Sequence, residues 1–181
     1  MVVRESPPPV KRMIIYSYLK QFHLSHFIET GTYLGDTLAD IAHDKSVACT
    51  SIELSNEYFH KAFQRFRGYP NVMLKWGDSA AVLPECVQSL KSPALFWLDG
   101  HYSGGNTASG KSDTPVSDEL RAILDSPIKT HVILIDDARC FDGTHAYPYL
   151  DALLQTIRQS DNYNVEISAD IIRLTPKKLS L

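Results

Sequence analysis

The chain is poor in the features that would assign it quickly. It has three cysteines, Cys49, Cys86 and Cys140, in 181 residues. They are odd in number, far apart and form no C-x-x-C, which argues against a disulfide framework and a thiolate metal site and fits reduced thiols in a cytoplasmic protein. No apolar run is long enough to span a bilayer, and the opening "MVVRESPPPVKRM" lacks an apolar signal core. Neither sign of charge prevails: 18 Lys and Arg face 21 Asp and Glu, a net charge of −3. Attraction to nucleic acid or to an anionic membrane is therefore not indicated. No internal repeat is present. What remains is an ordinary globular composition, 44% hydrophobic and 22% charged, long enough for one domain with its own core.

Hydrophobic periodicity divides that domain into alternating elements. Residues 10–21 read as a short amphipathic helix closing an N-terminal segment, 1–22. "HFIET" (26–30) is a strand ending in an acid, and 35–44 is a helix with Leu38, Ile41 and Ala42 inward. "VACTSIEL" (47–54) is the second strand. The helix over 55–68 is capped by Ser55 and predicted to bury Tyr58, Phe59, Ala62, Phe63 and Phe66. "NVMLKWGD" (71–78), "PALFWLD" (93–99) and "THVILIDD" (130–137) continue the strands, with helices over 81–90, from Pro115 and over 146–160 between and after them. "YNVEIS" (163–168) and "DIIRLTP" (170–176) follow as two strands in quick succession. Such alternation requires a parallel sheet covered on both faces, and "ALFWL" and "VILI" lack the polar alternation of a solvated strand.

Ligands of such sheets bind beyond the carboxyl ends of the strands. Those ends carry Glu29, Glu53, Asp78, Asp99, Asp136 and Asp137, more acids than solubility requires. Gly31 and Gly35 of "ETGTYLG" allow a sharp turn and close approach of a ligand. The helix N-terminus after them, with Thr37 in its first turn, favours an anionic group. Glu53 follows roughly twenty residues on, where a carboxylate can bond ribose hydroxyls. Asp78, with Ser79 beside it, offers an acceptor for an adenine amino group.

Together "FIETGTYLG", "SIEL", "WGDS", "FWLDGHY" and "ILIDDAR" resemble the successive motifs of class I S-adenosylmethionine-dependent methyltransferases, over about residues 24–176. "LDGHY" with "IDDA" is most similar to the metal-dependent O-methyltransferases of the macrocin and catechol type. The resemblance implies a three-layer, doubly wound α/β domain whose seven-stranded, mostly parallel sheet has the order 3-2-1-4-5-7-6 and an antiparallel last strand. It implies S-adenosylmethionine held by Glu29, Gly31, Gly35, Thr37, Glu53, Asp78, Ser79 and Asp99. It also implies Mg²⁺ on Asp99, Asp136 and Asp137, and O-methylation of a small hydroxylated metabolite or sugar. The catechol-type lysine base after the fourth strand is absent; His101 lies nearby and is the candidate base, with Asp99 beside it. No separate substrate domain is visible, and the composition leaves room for a homodimer.

One motif competes. "GNTASGKS" (105–112) satisfies G-x-x-x-x-G-K-[ST], the phosphate loop of nucleotide-binding phosphotransferases and NTPases, in which Lys111, Ser112 and Asp136 would act. A phosphate loop directly follows a buried strand and runs into a helix, whereas here the apolar run stops at Asp99 and the next helix is expected at Pro115, with Thr114 as its cap. The reading preferred is a glycine-rich lid over 100–114. A cofactor-binding module without catalysis is the third alternative.

Overall fold

The structure, a computed structural model, describes residues 5–100, 115–145 and 147–177. Helix α1 (Pro8–Gln21) leads into β1 (His26–Thr30), α2 (Asp36–Ala42), β2 (Ala48–Glu53), α3 (Asn56–Arg65), β3 (Val72–Trp76), α4 (Ser79–Ser89), β4 (Leu95–Leu98), α5 (Val116–Leu124), β5 (Val132–Ile135), α6 (Leu150–Ser160), β6 (Tyr163–Ser168) and β7 (Ile171–Pro176). The seven strands form one sheet in the order β3-β2-β1-β4-β5-β7-β6. The first five run parallel, while β7 is antiparallel to both β5 and β6. The expected order and the antiparallel closing strand are both found.

Side-chain alternation along the strands divides the core in two. Phe27, Leu95, Trp97, Val132 and Leu134 pack with Ile15 and Leu19 of α1, Leu38 and Ile41 of α2, Ala62 of α3 and Phe66 just after it. Ile28, Ile52, Phe96, Leu98, Ile133 and Ile135 pack on the other face with Leu83, Leu120, Ile123, Leu153 and Ile157 of α4 to α6. Both faces are closed, which is why β4 and β5 are buried at every position.

Local departures have local causes. Proline at the first turn starts α1 at Pro8. On α3 and its C-cap, Tyr58, Ala62 and Phe66 are inward, but Phe63 is 59% exposed beside the ring of Phe59, so the apolar stripe is narrower than predicted. Ser55 caps that helix as expected, accepting from Tyr58 N. Helix α5 opens at Val116 with Pro115 one residue outside it. β6 and β7 are joined by Ala169 and Asp170, both at positive φ, the backbone of a two-residue hairpin turn normally given to Asn-Gly. Asp170 is fully buried there because its carboxylate is used: Oδ1 accepts from Arg139 N (3.0 Å), and Oδ2 receives the Arg139 guanidinium.

His131, immediately before β5, is fully buried. Its Nδ1 accepts from Ala94 N (3.1 Å), its Nε2 lies 3.0 Å from Ser126 Oγ, and the Phe96 ring meets it edge-on at 5.1 Å. Nδ1 must be unprotonated to accept, so the ring is neutral. Burial, with a smaller effect from Lys129, pulls its pKa down to about 4. The unfolded chain takes up this proton first, so the contribution of His131 is complete above about pH 6.5 and is lost as pH falls toward 4, by about 3 kcal/mol. The stability gap between wild type and His131→Gln, from urea midpoints, should therefore shrink between about pH 7.5 and pH 4.5; a gap independent of pH would contradict this.

Candidate functional site

The parallel registers bring the strand ends into one line. Thr30 stands beside Ile52 and Leu98, Leu98 beside Ile135, and Glu53 beside Trp76. The ladder extends one step beyond the strands, through Gly31 N to Ile52 O, Asp99 N to Thr30 O, Asp136 N to Leu98 O and Gly77 N to Glu53 O. Glu29, Gly31, Glu53, Asp78, Asp99 and Asp136 thus share one edge of the sheet, as their sequence positions implied.

The glycine turn after β1 is tightly constrained. Gly31 has φ +83°, and a Cβ there would stand 2.5 Å from the carbonyl oxygen of Asp99. The turn of one strand therefore touches the end of its neighbour, which only glycine permits. Gly35, at φ +78°, is the residue before α2 and lies against the Phe66 ring. Thr37 is half-buried in the first turn of α2. Glu29 is buried beneath the turn. Ser51 Oγ donates to its Oε1 (2.7 Å) and lies 2.5 Å from Thr32 Oγ1, a chain of contacts that holds the turn in shape. Burial pushes the Glu29 carboxyl up to about 8, helped by the charge of Glu53 and opposed by Ser51.

Glu53 is almost enclosed, and both oxygens hold backbone: Oε2 accepts from Tyr33 N (2.7 Å) and Oε1 from Ser55 N (2.8 Å). Tyr33, at φ +48°, packs its ring 4.7 Å from that of Tyr58. A carboxylate has about four acceptor positions, so two remain for a ligand. Asp78 is the cap of α4, accepting from Ala80 N (3.0 Å), and Ser79 is buried next to it.

The second half of the site is acidic. Asp99, Asp136 and Asp137 each place a carboxylate oxygen within 4.8 Å of the others. Asp136 and Asp137 are buried and Asp99 is half-buried. Burial, then the charges of Asp136 and Asp137, raises the Asp99 carboxyl well above its usual range. Asp136 is pushed up to about 6 by burial and Asp137, against the pull of Lys11. Asp137 adopts the left-handed conformation at φ +55°, and its amide donates to Asp136 Oδ1 (2.7 Å).

Lys11 and Arg139 escaped the reading of the sequence. Lys11, on α1, is buried; its Nζ lies 2.6 Å from Asp136 Oδ1 and 3.2 Å from Asp137 Oδ1. Arg139 Nη1 lies 2.6 Å from that same Asp137 oxygen and bridges it to Asp170. Glu119 of α5 was also missed. It is 1% exposed, and burial raises it to about 7. With Leu98, Val116, Ile135, Asp136 and Tyr147 it lines a cavity of about 10 Å³, room for one water. A signal existed: Lys11 shares its helical stripe with Ile15 and Leu19, and Glu119 shares one with Val116, Leu120 and Ile123. His101, Lys111, Ser112 and most of the 100–114 segment lie outside the described residues.

No family model matches the chain, and no curated protein sequence does. Solved structures do. The O-methyltransferase from Bacillus cereus in complex with SAH aligns with a TM-score of 0.70 at 12% identity, over 96% of this chain and 84% of that one. The SAH-bound Podospora anserina methyltransferase PaMTH1 aligns with a TM-score of 0.68 at 14% identity, over 95% and 80%. The 23S rRNA methyltransferase ErmE aligns with a TM-score of 0.62 at 15% identity, over 96% and 70%. The fold is that of the class I methyltransferases. Among the described residues no helix is long and apolar enough to cross a membrane.

The contact between Gly31 and Asp99 predicts the effect of a single methyl group. Gly31→Ala adds a left-handed alanine and a backbone clash, and is expected to cost about 1–3 kcal/mol in urea unfolding. An unchanged midpoint would mean that the turn is slack.

Proposed function

We propose that the chain is an S-adenosylmethionine-dependent methyltransferase acting on a hydroxyl oxygen of a small acceptor, a hydroxylated metabolite or a sugar. One observation carries the reading: the glycine turn at Gly31, Glu53 with two free acceptor positions and the Asp78–Ser79 helix start follow one another along the sheet edge, in the order in which an amino acid, a ribose and an adenine are joined. The solved structures of this fold named with SAH support the same cofactor.

When bound, S-adenosylmethionine supplies a methyl group already activated on a sulfonium. The protein then has to place the acceptor oxygen in line with that carbon and help remove its proton. Gly31 lets the backbone come close to the amino-acid part, and Asp99 would receive its ammonium. Glu53 accepts the ribose hydroxyls from a position fixed by Tyr33 N and Ser55 N, so little ordering remains to be done on binding. Asp78 and Ser79 stand where the adenine would lie. His101 is the proposed base, and 100–114 the proposed lid.

Magnesium would be held by Asp99, Asp136 and Asp137, and would orient the acceptor hydroxyl and lower its pKa. Three carboxylates are the oxygen donors that this ion prefers. However, Asp136 Oδ1 and Asp137 Oδ1 are both in contact with Lys11, so an ion on those atoms must displace it.

The phosphate-loop alternative is not favoured. Its segment lies outside the described residues, but α5 begins only at Val116, beyond Lys111 and Ser112.

Calorimetric titration with S-adenosylhomocysteine should show binding that Glu53→Ala weakens by about 1.5–3 kcal/mol, the range for hydrogen bonds to a charged group. ATP should give no comparable heat. Full affinity in a folded Glu53→Ala protein would take that residue out of the site. ATP binding abolished by Lys111→Ala would replace the proposal with the phosphate-loop reading.

A further inference from the structure

Lys11 is a buried ammonium delivered by a helix that is not part of the sheet edge. Helix α1 is held firmly: Ile15 and Leu19, one and two turns on from Lys11, are buried against the sheet. Arg12 pairs with Asp40 at 2.6 Å and Lys20 with Asp44 at 2.5 Å, tying α1 to α2 and the turn after it. Alternation sets Asp99 on the same side of β4 as Leu95 and Trp97, and Asp136 on the same side of β5 as Val132 and Leu134, which is the face that α1 covers. The lysine therefore meets the carboxylates by construction rather than by a long flexible reach. Its Nζ contacts Asp136 Oδ1 and Asp137 Oδ1, atoms that a bound ion would need, and Arg139 shares the second of them. A divalent cation ligated at about 2.0–2.1 Å by those oxygens would overlap an ammonium 2.6 and 3.2 Å from them.

We propose that Lys11 is the resident cation of the Asp99–Asp136–Asp137 cluster, in the place of a divalent metal, and that α1 is thereby part of the functional site. The cluster then keeps its carboxylates charge-compensated without an ion, and methyl transfer proceeds in the presence of chelator. That last consequence rests on the methyltransferase reading; the identity of the cation does not.

The test uses the full chain and Mn²⁺ as probe, followed by the loss of the free-ion electron paramagnetic resonance signal. Wild type should leave the signal intact. Lys11→Met should take up one ion per chain, uptake that a second change, Asp136→Asn, removes. The melting temperature of Lys11→Met should rise with Mn²⁺ while that of wild type stays put. Stoichiometric Mn²⁺ uptake by wild type, lost in Asp136→Asn, would overturn the proposal. A folded Lys11→Met protein that takes up none would overturn it too. If Lys11→Met does not fold, wild type decides the matter together with Lys11→Arg, which keeps the charge and should likewise leave Mn²⁺ free. S-adenosylhomocysteine titration of the same samples separates the two readings, because cofactor affinity can persist or fail whichever cation fills the cluster.

Discussion

The structure depends on keeping a concentration of carboxylates tolerable at one edge of a sheet. Parallel pairing sets successive strand ends side by side, so acids distant in the chain become neighbours with little water between them. A buried carboxylate without compensation is costly, and here each is answered by a specific group. Ser51 donates to Glu29; Tyr33 N and Ser55 N donate to Glu53; Ala80 N donates to Asp78; Lys11 and Arg139 meet Asp136 and Asp137. Where burial outweighs these contacts the carboxyl group moves toward its protonated form, as Glu29 and Asp99 do.

This arrangement separates the edge into two regions of different chemistry. Around β1 and β2, Glu29 accepts from the Ser51 hydroxyl and Glu53 from two backbone amides, which leaves Glu53 room for further donors. Around β4 and β5, Asp136 and Asp137 are paired with Lys11 and Arg139, and Asp136 lines a cavity of one water's volume together with Glu119 and Tyr147. The Gly31 turn, in contact with Asp99, is where the two meet.

Most of the frame was legible in the sequence because it follows from simple periodicities. Strands buried on both faces show as unbroken apolar runs, and the acids closing those runs mark the sheet edge. The parts that were not legible are charged residues doing the work of core residues. Lys11 and Glu119 interrupt otherwise apolar stripes, and an interruption reads as the boundary of a buried face rather than as a buried charge. Phe63 shows the opposite error, an apolar residue at a stripe position that remains in solvent. Asp170 was hidden differently. Ala-Asp is not the usual pair for a tight hairpin turn, and its positive φ is understandable only once its hold on Arg139 is seen. A phosphate-loop pattern was discounted on context alone, and the start of α5 agrees with that.

Asp137 also bears on the order in which the site can form during folding. It contacts a lysine 126 residues before it, and it shares Arg139 with an aspartate 31 residues beyond that arginine. Contacts spanning such separations form late, because long loops must close before they are rewarded. During synthesis α1, the five parallel strands and their acids are all exposed from the ribosome before the β6–β7 turn. Until that turn docks, Arg139 lacks its buried anchor. The last hairpin is thus a clasp: Arg139 is anchored beside Asp137 only once the final strands have been laid down, whereas the groups that answer the other acids are already in the chain.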